Sequence, residues 1–259
     1  MSESRFSVDV IIPTFNSREL LKRAIDSCVG QTYSVDKIII VDDGSSEESI
    51  NYLKEIERIY PKVFIIYNHH TGLPGVGRNL GILHSSANWI AFLDSDDCWD
   101  PEKIAKQAKL FQNADLIYTN GWRMDDRNHL ELFHSNMPTS LGFKDMIQSN
   151  WIINSSVLVR REILLGRFGY ATSAQVRAVE DYATWLRLSI RYKITGIDEP
   201  LVFYNDIHGS LSSEYSYDPR IHALTDFILW SRTLPSEKSK TMMEYRRDVL
   251  RTIKREYLK

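Results

Sequence analysis

Short apolar runs alternate with amphipathic segments along the first half of the chain. The apolar runs have the length of buried β-strands, and they occupy residues 7–13, 37–41, 63–67, 89–93 and 115–120. Apolar residues recur at helical spacing between them, which predicts helices over 18–31, 47–59, 77–85 and 101–111. Strands that alternate with helices are typical of βαβ units. We therefore predict an α/β fold with a mostly parallel central sheet flanked by helices.

Polar loops follow three of the predicted strands, at residues 13–17, 42–46 and 94–99. Ligands bind beyond the carboxyl ends of the strands in a parallel sheet, so we expect these loops to meet around one site. The alternation weakens from about residue 121 to 210, where polar and aromatic residues become more frequent.

The last 24 residues, 236–259, have a different pattern. They contain eight basic and four acidic residues, a net charge of +4. Apolar side chains recur there at three- and four-residue spacing, at Met242, Tyr245, Val249, Ile253 and Tyr257. This predicts a basic amphipathic helix. It either packs on the core with its charges solvated or docks on an anionic membrane surface.

The composition of the chain favours a globular protein and gives no support to several other classes. The chain of 259 residues has 43% hydrophobic and 25% charged residues, which is typical of a soluble globular protein. Its 32 basic residues nearly balance 34 acidic ones, so general nucleic-acid binding has no electrostatic support. Cys28 and Cys98 form no disulfide framework, and neither a signal peptide nor a membrane span is predicted. We expect a cytoplasmic protein, with peripheral attachment to the inner face of the membrane left open by the tail.

Three carboxylates follow the buried run at 89–93: Asp94, Asp96 and Asp97. Like charges this close repel each other, so at least one of the carboxyl groups should resist ionisation unless a positive group lies among them. The cluster is either a solvated turn or a cation site. Asp94 and Asp96 are two residues apart, so they point the same way in an extended segment. Hard oxygen ligands of this kind suit Mg²⁺ or Mn²⁺ bound together with substrate phosphates.

Two further loops contain candidate binding residues. Asp42 and Asp43 form either a simple turn with Gly44 or a pair of acceptors for a nucleoside. The glycine-rich segment 69–81 is not a dinucleotide fingerprint, because it follows the third predicted strand rather than the first. Its glycines are expected to let the loop pass close to a ligand. Arg78 either contacts an anionic ligand or neutralises a carboxylate of the acidic cluster.

Two residues of the second half are candidates for chemistry. Asp181 lies in a predicted helix, where a carboxylate is either solvated or, at the rim of a cavity, a general base. His208 precedes Gly209 and Ser210, and it is either a surface residue or a metal ligand.

Eight segments in chain order together resemble one family. They are VDVIIPTFN at 8–16, QTY at 31–33, IIIVDDGS at 38–45, GVGRNLGI at 75–82, IAFLDSDD at 90–97, SSVLVRRE at 155–162, VEDYATWLRL at 179–188 and HGSLS at 208–212. This ordered set resembles the family 2 glycosyltransferases, which are inverting nucleotide-sugar enzymes of the GT-A fold. Small bacterial members that build O-antigen or capsule look most similar in length and tail.

The resemblance implies a role for each matching position. Residues implied to bind the nucleotide sugar are Pro13, Thr14, Asn16, Asp42, Asp43, Arg78, Asp94 and Ser95. It further implies that Asp96 and His208 bind Mn²⁺ or Mg²⁺, and that Asp181 is the catalytic base. The three carboxylates of the acidic cluster would then tolerate one another because a divalent cation and a diphosphate lie among them.

The resemblance also implies a domain organisation and a reaction. Residues 1–212 would form the GT-A domain, with a nucleotide-binding half at 1–120 and an acceptor half at 121–212, followed by a helical extension at 213–259. The reaction would move a hexose or N-acetylhexosamine from a UDP-sugar to an acceptor hydroxyl. The acceptor would be a lipid-diphosphate-linked sugar, and the product a β-glycoside. A sugar nucleotidyltransferase and a catalytically inactive nucleotide-sugar-binding module are the alternatives.

Overall fold

The computed structural model describes residues 6–125, 127, 129–206 and 218–257. The strands are β1 Val8–Thr14, β2 Lys37–Asp43, β3 Val63–Asn68, β4 Trp89–Phe92, β5 Cys98–Trp99, β6 Leu116–Met124, β7 Leu130–Leu132, β8 Ser140–Leu141, β9 Leu158–Arg160 and β10 Ile194–Asn205. The helices are α1 Glu19–Val29, α2 Glu47–Ile59, α3 Pro74–His84, α4 Lys103–Ala108, α5 Phe143–Met146, α6 Arg161–Leu164, α7 Glu180–Leu188, α8 Arg220–Ser231 and α9 Lys240–Tyr257. Short 3-10 turns occupy Asn154–Ser156, Gly166–Phe168 and Ala174–Val176.

One central sheet has the strand order β3-β2-β1-β4-β9-β6-β10-β5. The first four strands along the chain pair in parallel, as the sequence predicts for βαβ units. The second half is mixed, because β9 lies antiparallel between β4 and β6, while β10 pairs with β6 in parallel. The predicted α/β class is therefore confirmed, and antiparallel strands enter where the alternation of the sequence weakens.

Each face of the sheet has its own core, because successive strand side chains point to opposite faces. Val10 and Ile12 of β1 lie in a cluster that α1 and α2 cover. Ile11 lies in the other cluster, with residues of α3, α7, α8 and α9. Helices on both faces leave the carboxyl ends of the parallel strands as the accessible edge of the sheet.

The start of α3 differs from the prediction. The helix begins at Pro74, three residues earlier than expected, and proline at the first helical position suits its fixed φ angle. Gly75, Gly77 and Gly81 lie inside the helix, whereas Gly72 lies in the loop before it. At Gly81, an added Cβ would lie 2.6 Å from Cγ2 of Ile11. The glycines therefore bring α3 close to β1 as well as to the site.

The start of α1 also differs. We expect Asn16 or Ser17 to cap this helix from the sequence, but the helix begins after Arg18, which makes no capping hydrogen bond through its side chain. Asn16 instead has a left-handed backbone conformation, with φ of 51°. Its side-chain oxygen accepts a hydrogen bond from the backbone N–H of Ser46, at the start of α2.

The C-terminal helix α9 packs against the core. Met242 and Val249 are buried, and Tyr245, Ile253 and Tyr257 contact the same cluster as α7 and α8. The apolar stripe predicted from the sequence is therefore an inward face. Among the described residues, no helix is both long enough and apolar enough to span a membrane.

Candidate active site

A cavity of about 880 Å³ opens at the carboxyl ends of the parallel strands. The loop after β1 contributes Pro13, Thr14 and Phe15, the end of β2 contributes Asp43, and the loop after β4 contributes Asp94, Ser95 and Asp96. The expected meeting of the three loops is therefore confirmed. The starts of α3, α7 and α8, the segment before and within the 3-10 turn Asn154–Ser156, and the end of β10 also line the cavity.

Most of the predicted site residues line this cavity. They are Pro13, Thr14, Asp43, Arg78, Asp94, Ser95, Asp96 and Asp181. Asn16 and Asp42 are not among the lining residues, and His208 lies outside the residues that the structure describes. The metal ligand predicted at His208 therefore remains a prediction.

Asn16 and Asp42 brace the loops instead. The side-chain oxygen of Asn16 accepts from Ser46 N at 2.9 Å, which ties the first loop to the second. Asp42 is buried, and its carboxylate accepts from Ser45 N at 3.1 Å. These contacts give no support to the direct nucleotide contacts that the resemblance implies for the two residues.

Asp43 faces the cavity but has several partners in the protein. Its carboxylate accepts hydrogen bonds from Thr71 N at 2.9 Å and from Gly72 N at 2.8 Å, and it lies 3.2 Å from the imidazole of His70. Phe15 and His70 stack at the mouth, with ring centroids 4.4 Å apart. Asp43 therefore holds the loop that precedes α3 in place, and Phe15 presents an aromatic surface to the cavity.

Arg78 joins the two sides of the cavity. Its guanidinium donates to Asp94 Oδ1 at 2.7 Å and to Glu180 Oε1 at 2.6 Å. Burial opposes the charged form, but the carboxylates of Asp94 and Glu180 hold the pKa of Arg78 above its ordinary value. The contact with Asp94 is the neutralising role left open by the sequence. Arg78 therefore acts within the protein as a bridge between β4 and α7.

The three carboxylates of the acidic cluster do not share one environment. Asp97 is buried, and it accepts hydrogen bonds from the hydroxyl of Ser155 and from Asn205 N. Burial, together with Asp96 and Asp94, holds the pKa of Asp97 well above its ordinary value. Each oxygen of Asp97 therefore has a donor within the protein, and the expectation that a cation lies among the three carboxylates remains a prediction.

Asp96 is the carboxylate that faces the cavity with its side chain exposed. Desolvation inside the cavity, with a further contribution from Asp94, raises the pKa of Asp96 to about 6. Asp94 has one oxygen engaged, because Asn154 Nδ2 donates to the same Oδ1 as Arg78, at 3.0 Å. The cluster thus offers Asp96 and one oxygen of Asp94 to a ligand.

These oxygens fit a divalent metal ion. Asp94 and Asp96 offer carboxylate oxygens, which are the hard donors that Mg²⁺ and Mn²⁺ prefer. Such ions take their remaining ligands from water and phosphate. No group of three or more candidate metal-binding side chains occurs within the described part of the chain.

Asp181 lies in the first turn of α7, at the wall of the cavity. Burial and the adjacent Glu180 raise its pKa to about 7. The preceding Ala178 has φ of 67°, in the left-handed region that is unfavourable for alanine, and such strain is common at functional sites. A carboxyl group with a pKa near neutrality is suited to accept a proton.

Several lining residues also carry buried oxygens without a hydrogen-bond partner among the described residues. These are Thr14 Oγ1, Glu180 Oε2 and Asn205 Oδ1. A buried polar atom without a partner costs roughly 1–3 kcal/mol. Three such atoms around one cavity are typical of a site that binds a polar ligand.

Sequence reasoning missed several residues of the wall. Asn154 and Ser155 contact the acidic cluster from a 3-10 turn that no periodicity marks. Arg177, Asp218 and Arg220 line the cavity from segments with no recognisable motif. A signal was present for Ser155 and Glu180, because both lie in segments that carry the family resemblance. The ion pair of Glu180 with Arg78 depends on the tertiary structure.

Residues 9–168, more than half of the chain, match the family model described as Glycosyl transferase family 2. The chain belongs to this family. A relative, the putative teichuronic acid biosynthesis glycosyltransferase TuaG of Bacillus subtilis (strain 168), is 28% identical over 210 residues. That match covers 80% of this chain and 81% of TuaG. Against three Rickettsia glycosyltransferases the chain spans only 28–32% of their length.

Solved structures share the fold of this family 2 chain. S. aureus TarS in complex with UDP-GlcNAc has a TM-score of 0.75 and 16% identity over 96% of this chain and 73% of that one. The mannosyltransferase PcManGT from Pyrobaculum calidifontis, in complex with GDP-Man and Mn²⁺, has a TM-score of 0.63 and 12% identity. It matches 96% of this chain and 74% of its own. The predicted GT-A fold is thereby confirmed.

Proposed function

We propose that this family 2 glycosyltransferase transfers a hexose or N-acetylhexosamine from a UDP-sugar to an acceptor hydroxyl with inversion. The observation that carries the proposal is the position of Asp181, a carboxyl group with a pKa of about 7, on the same cavity as Asp94 and Asp96. Asp181 would accept a proton, and Asp94 and Asp96 lie at the carboxyl ends of the parallel strands, where such sheets bind ligands.

The donor binds at the strand ends. Pro13, Thr14 and Asp43 face its nucleoside, with Phe15 as an aromatic surface beside them. Asp94 and Ser95 lie next to the position of the ribose and diphosphate. This assignment is supported by the position of these residues at one end of the cavity and by the UDP-GlcNAc bound to the structurally similar TarS.

Asp96 would hold Mn²⁺ or Mg²⁺, together with His208, which lies outside the described residues. The metal ion, when bound with the diphosphate, supplies positive charge that stabilises the leaving UDP. Support comes from the exposed carboxylate of Asp96 and from the Mn²⁺ in the structure of PcManGT.

The acceptor hydroxyl gives its proton to Asp181 as its oxygen attacks the anomeric carbon. One base and one displacement on the face opposite the leaving group invert the configuration, so an α-linked donor gives a β-glycoside. General-base help of this kind is worth about 10²–10⁴-fold in rate. Arg78 donates hydrogen bonds to Glu180, which is adjacent to the base, and to Asp94 on the donor side of the cavity. It thereby connects the base to the donor site.

The acceptor in this proposal is a lipid-diphosphate-linked sugar of cell-surface polysaccharide assembly, reached from the cytoplasmic side of the membrane. The name of TuaG, which refers to teichuronic acid biosynthesis, supports the polysaccharide class. We assign residues 1–212 to the catalytic domain and residues 213–259 to an extension whose helices α8 and α9 pack on the core of that domain.

The two alternatives have less support. A nucleotidyltransferase would favour a glycine-rich loop with Arg and Lys directly after β1, and the segment PTFNSREL at 13–20 has no glycine. An inactive binding module would not need a carboxyl group with a pKa near 7 beside a cavity-facing Asp96.

The test is a UDP-sugar assay that scores both hydrolysis without acceptor and transfer to a sugar acceptor. The wild type is expected to release UDP in the presence of Mn²⁺ or Mg²⁺ and to lose this activity in EDTA. Full activity in EDTA would contradict the metal assignment. Release of pyrophosphate from a sugar phosphate and UTP would identify a nucleotidyltransferase instead.

Asp181→Asn separates the base from the donor site. The variant is expected to lose turnover by two or more orders of magnitude while UDP affinity stays near the wild-type value, because it removes a proton acceptor and no nucleotide contact. Equal loss of UDP affinity would move Asp181 to the donor site. Inversion itself is read from the anomeric configuration of the product by NMR.

A further inference from the structure

The outer face of α9 carries an exposed stripe with its own pattern. Met243, Arg247, Leu250, Arg251 and Lys254 recur at three- and four-residue spacing, so they share one side of the helix. Met243 and Leu250 are 53% and 55% exposed, although the opposite side of the helix is buried in the core. With Arg246, the same five residues surround a shallow depression of about 350 Å³. We call these five residues the α9 outer face.

The exposed charged side chains of the α9 outer face are all basic. The three acidic side chains within Lys240–Tyr257, Glu244, Asp248 and Glu256, are all half-buried, whereas Arg247, Arg251 and Lys254 are exposed. Arg251 lies 3.8 Å from Asp248, and its side chain is still 70% exposed. Such a weak surface pair leaves the guanidinium accessible to another anion.

The same helix ends beside the candidate active site. The Tyr257 hydroxyl donates to Asp218 at 2.8 Å, and Glu256 lies 3.4 Å from the guanidinium of Arg220. Asp218 and Arg220 line the cavity. The helix that carries the outer face therefore contacts the wall of the cavity at its C-terminal end.

We propose that the α9 outer face docks the protein on an anionic lipid bilayer. Met243 and Leu250 would enter the boundary between headgroups and acyl chains, while Arg247, Arg251 and Lys254 contact lipid phosphates. The docking places the acceptor end of the cavity at the membrane, and in this respect it rests on the lipid-linked acceptor of the proposed function. It assigns the contact to a different face of α9 from the apolar stripe recognised in the sequence.

A lipid surface fits this face better than a protein does. Two exposed apolar side chains offer far less area than the roughly 800 Å² per partner of a stable protein interface. A leaflet of anionic lipids supplies many phosphates at once, and it needs no shape complementarity beyond a flat contact.

Cosedimentation with vesicles tests the docking. The wild type is expected to bind vesicles of phosphatidylglycerol and phosphatidylcholine, to bind pure phosphatidylcholine much more weakly, and to dissociate as salt is added. Each basic residue next to an anionic leaflet contributes about fivefold to binding. Arg247→Gln with Arg251→Gln should therefore lower the partition coefficient about 25-fold, and Met243→Gln with Leu250→Gln should lower it as well.

Lys54→Gln with Arg58→Gln is the matched control. These residues are also exposed and four apart on a helix, α2, and their replacement removes the same two charges. The control should bind vesicles like the wild type, and all variants should melt at the wild-type temperature because the replaced side chains are exposed. Equal losses in the control and the α9 variant would overturn the proposal, since they would show an effect of net charge alone.

Two further outcomes would overturn it. A wild type that does not bind anionic vesicles has no such docking face, and a dimer in sedimentation velocity that the α9 variant dissociates would assign the face to a second copy. UDP-sugar hydrolysis without acceptor separates this failure from that of the proposed function. Hydrolysis without vesicle binding rejects only the docking, and vesicle binding without hydrolysis of any UDP-sugar rejects only the reaction.

Discussion

Asp96 and Asp97 are adjacent in the chain but differ in what surrounds their carboxyl groups. Asp96 is exposed in the cavity, whereas Asp97 accepts hydrogen bonds from Ser155 and from the backbone of Asn205. The first residue offers charge to a ligand, and the second holds together three segments of the chain.

Substitution of these neighbours should therefore have opposite effects. Asp97→Ala leaves two buried donors without a partner, which should lower the free energy of unfolding by about 2–4 kcal/mol. Asp96→Asn should leave stability nearly unchanged and abolish metal-dependent activity. Urea denaturation and the UDP-release assay measure the two effects. Similar stability losses in both variants would contradict the different roles assigned to the two side chains.

The pKa of Asp181 predicts the pH dependence of the reaction. A base works in its deprotonated form, so kcat/KM should rise with pH and level off above the pKa of about 7. Asp181→Asn should remove this rise along with most of the rate. Measurement of kcat/KM as a function of pH in the wild type and in Asp181→Asn tests this prediction.

Glu180→Gln is the control for that profile. Glu180 raises the pKa of Asp181, so its neutralisation should move the midpoint of the rise to lower pH while the rise itself remains. The variant also loses the ion pair with Arg78, and a lower melting temperature is expected. A profile without a rise in Glu180→Gln would identify Glu180 as the base.

At the scale of elements, α9 is part of the folded core. Met242 and Val249 are buried in the cluster that also contains Ile11, Phe227 and Trp185. Full burial of an apolar side chain of this size contributes roughly 1.5–3 kcal/mol, so these two alone contribute about 3–6 kcal/mol.

Truncation after Pro235 should therefore destabilise the whole protein. We expect a lower melting temperature and loss of activity on every acceptor, including a short soluble one. Replacement of Met243 and Leu250 on the outer face by Gln should leave the melting temperature and the activity on a short soluble acceptor unchanged. A truncated protein that melts at the wild-type temperature would show that the inner face contributes little to stability.

The sequence predicted elements well where periodicity was strong. Helix α2 has the predicted bounds, and the first four strands differ by one or two residues at their ends, because apolar runs and helical stripes directly record burial. The prediction of elements was less accurate where buried residues do not recur at a regular spacing. The short β9 and the 3-10 turn at Asn154–Ser156 are held by neighbours in space rather than by local pattern.

The composition of the cavity was largely predictable, but the partners inside it were not. Residues at strand ends were recognisable because a parallel sheet presents ligands there. The pairing of Arg78 with Glu180 and the orientation of Asp97 depend on contacts more than 100 residues away in the chain. No local pattern encodes such contacts, so the donors that hold Asp97 could not be predicted from the sequence.

At the scale of the whole molecule, one buried charge makes stability depend on pH. Lys103 is completely buried, with Gln107 Oε1 at 3.0 Å and the ring of Trp99 at 4.1 Å. Burial lowers its pKa to about 7. In the unfolded chain the pKa is near 10.4. Between these values the unfolded state binds more protons, so stability should rise as pH increases through this window.

Lys103→Met tests this linkage. The variant should be more stable than the wild type near pH 6, and the difference should shrink as pH rises toward 10. Only in the wild type does folding release a proton from residue 103 in this range, so only its stability rises with pH. Chemical denaturation across this pH range measures it. The exposed Lys109→Met is the control, and its curve should run parallel to that of the wild type. Parallel curves for Lys103→Met would mean that Lys103 keeps an ordinary pKa.

The bridge from Arg78 to Glu180 also bears on how the protein is made. The two residues are 102 positions apart, and a ribosome adds roughly 5–20 residues per second, so about 5–20 s separate their synthesis. The strands that build the nucleotide end emerge first, and during that interval Arg78 has Asp94 as a partner but not Glu180. The ion pairs of Arg78 are therefore complete only after the second half of the chain has been made, and a ribosome that stalls between the two residues leaves Arg78 without Glu180.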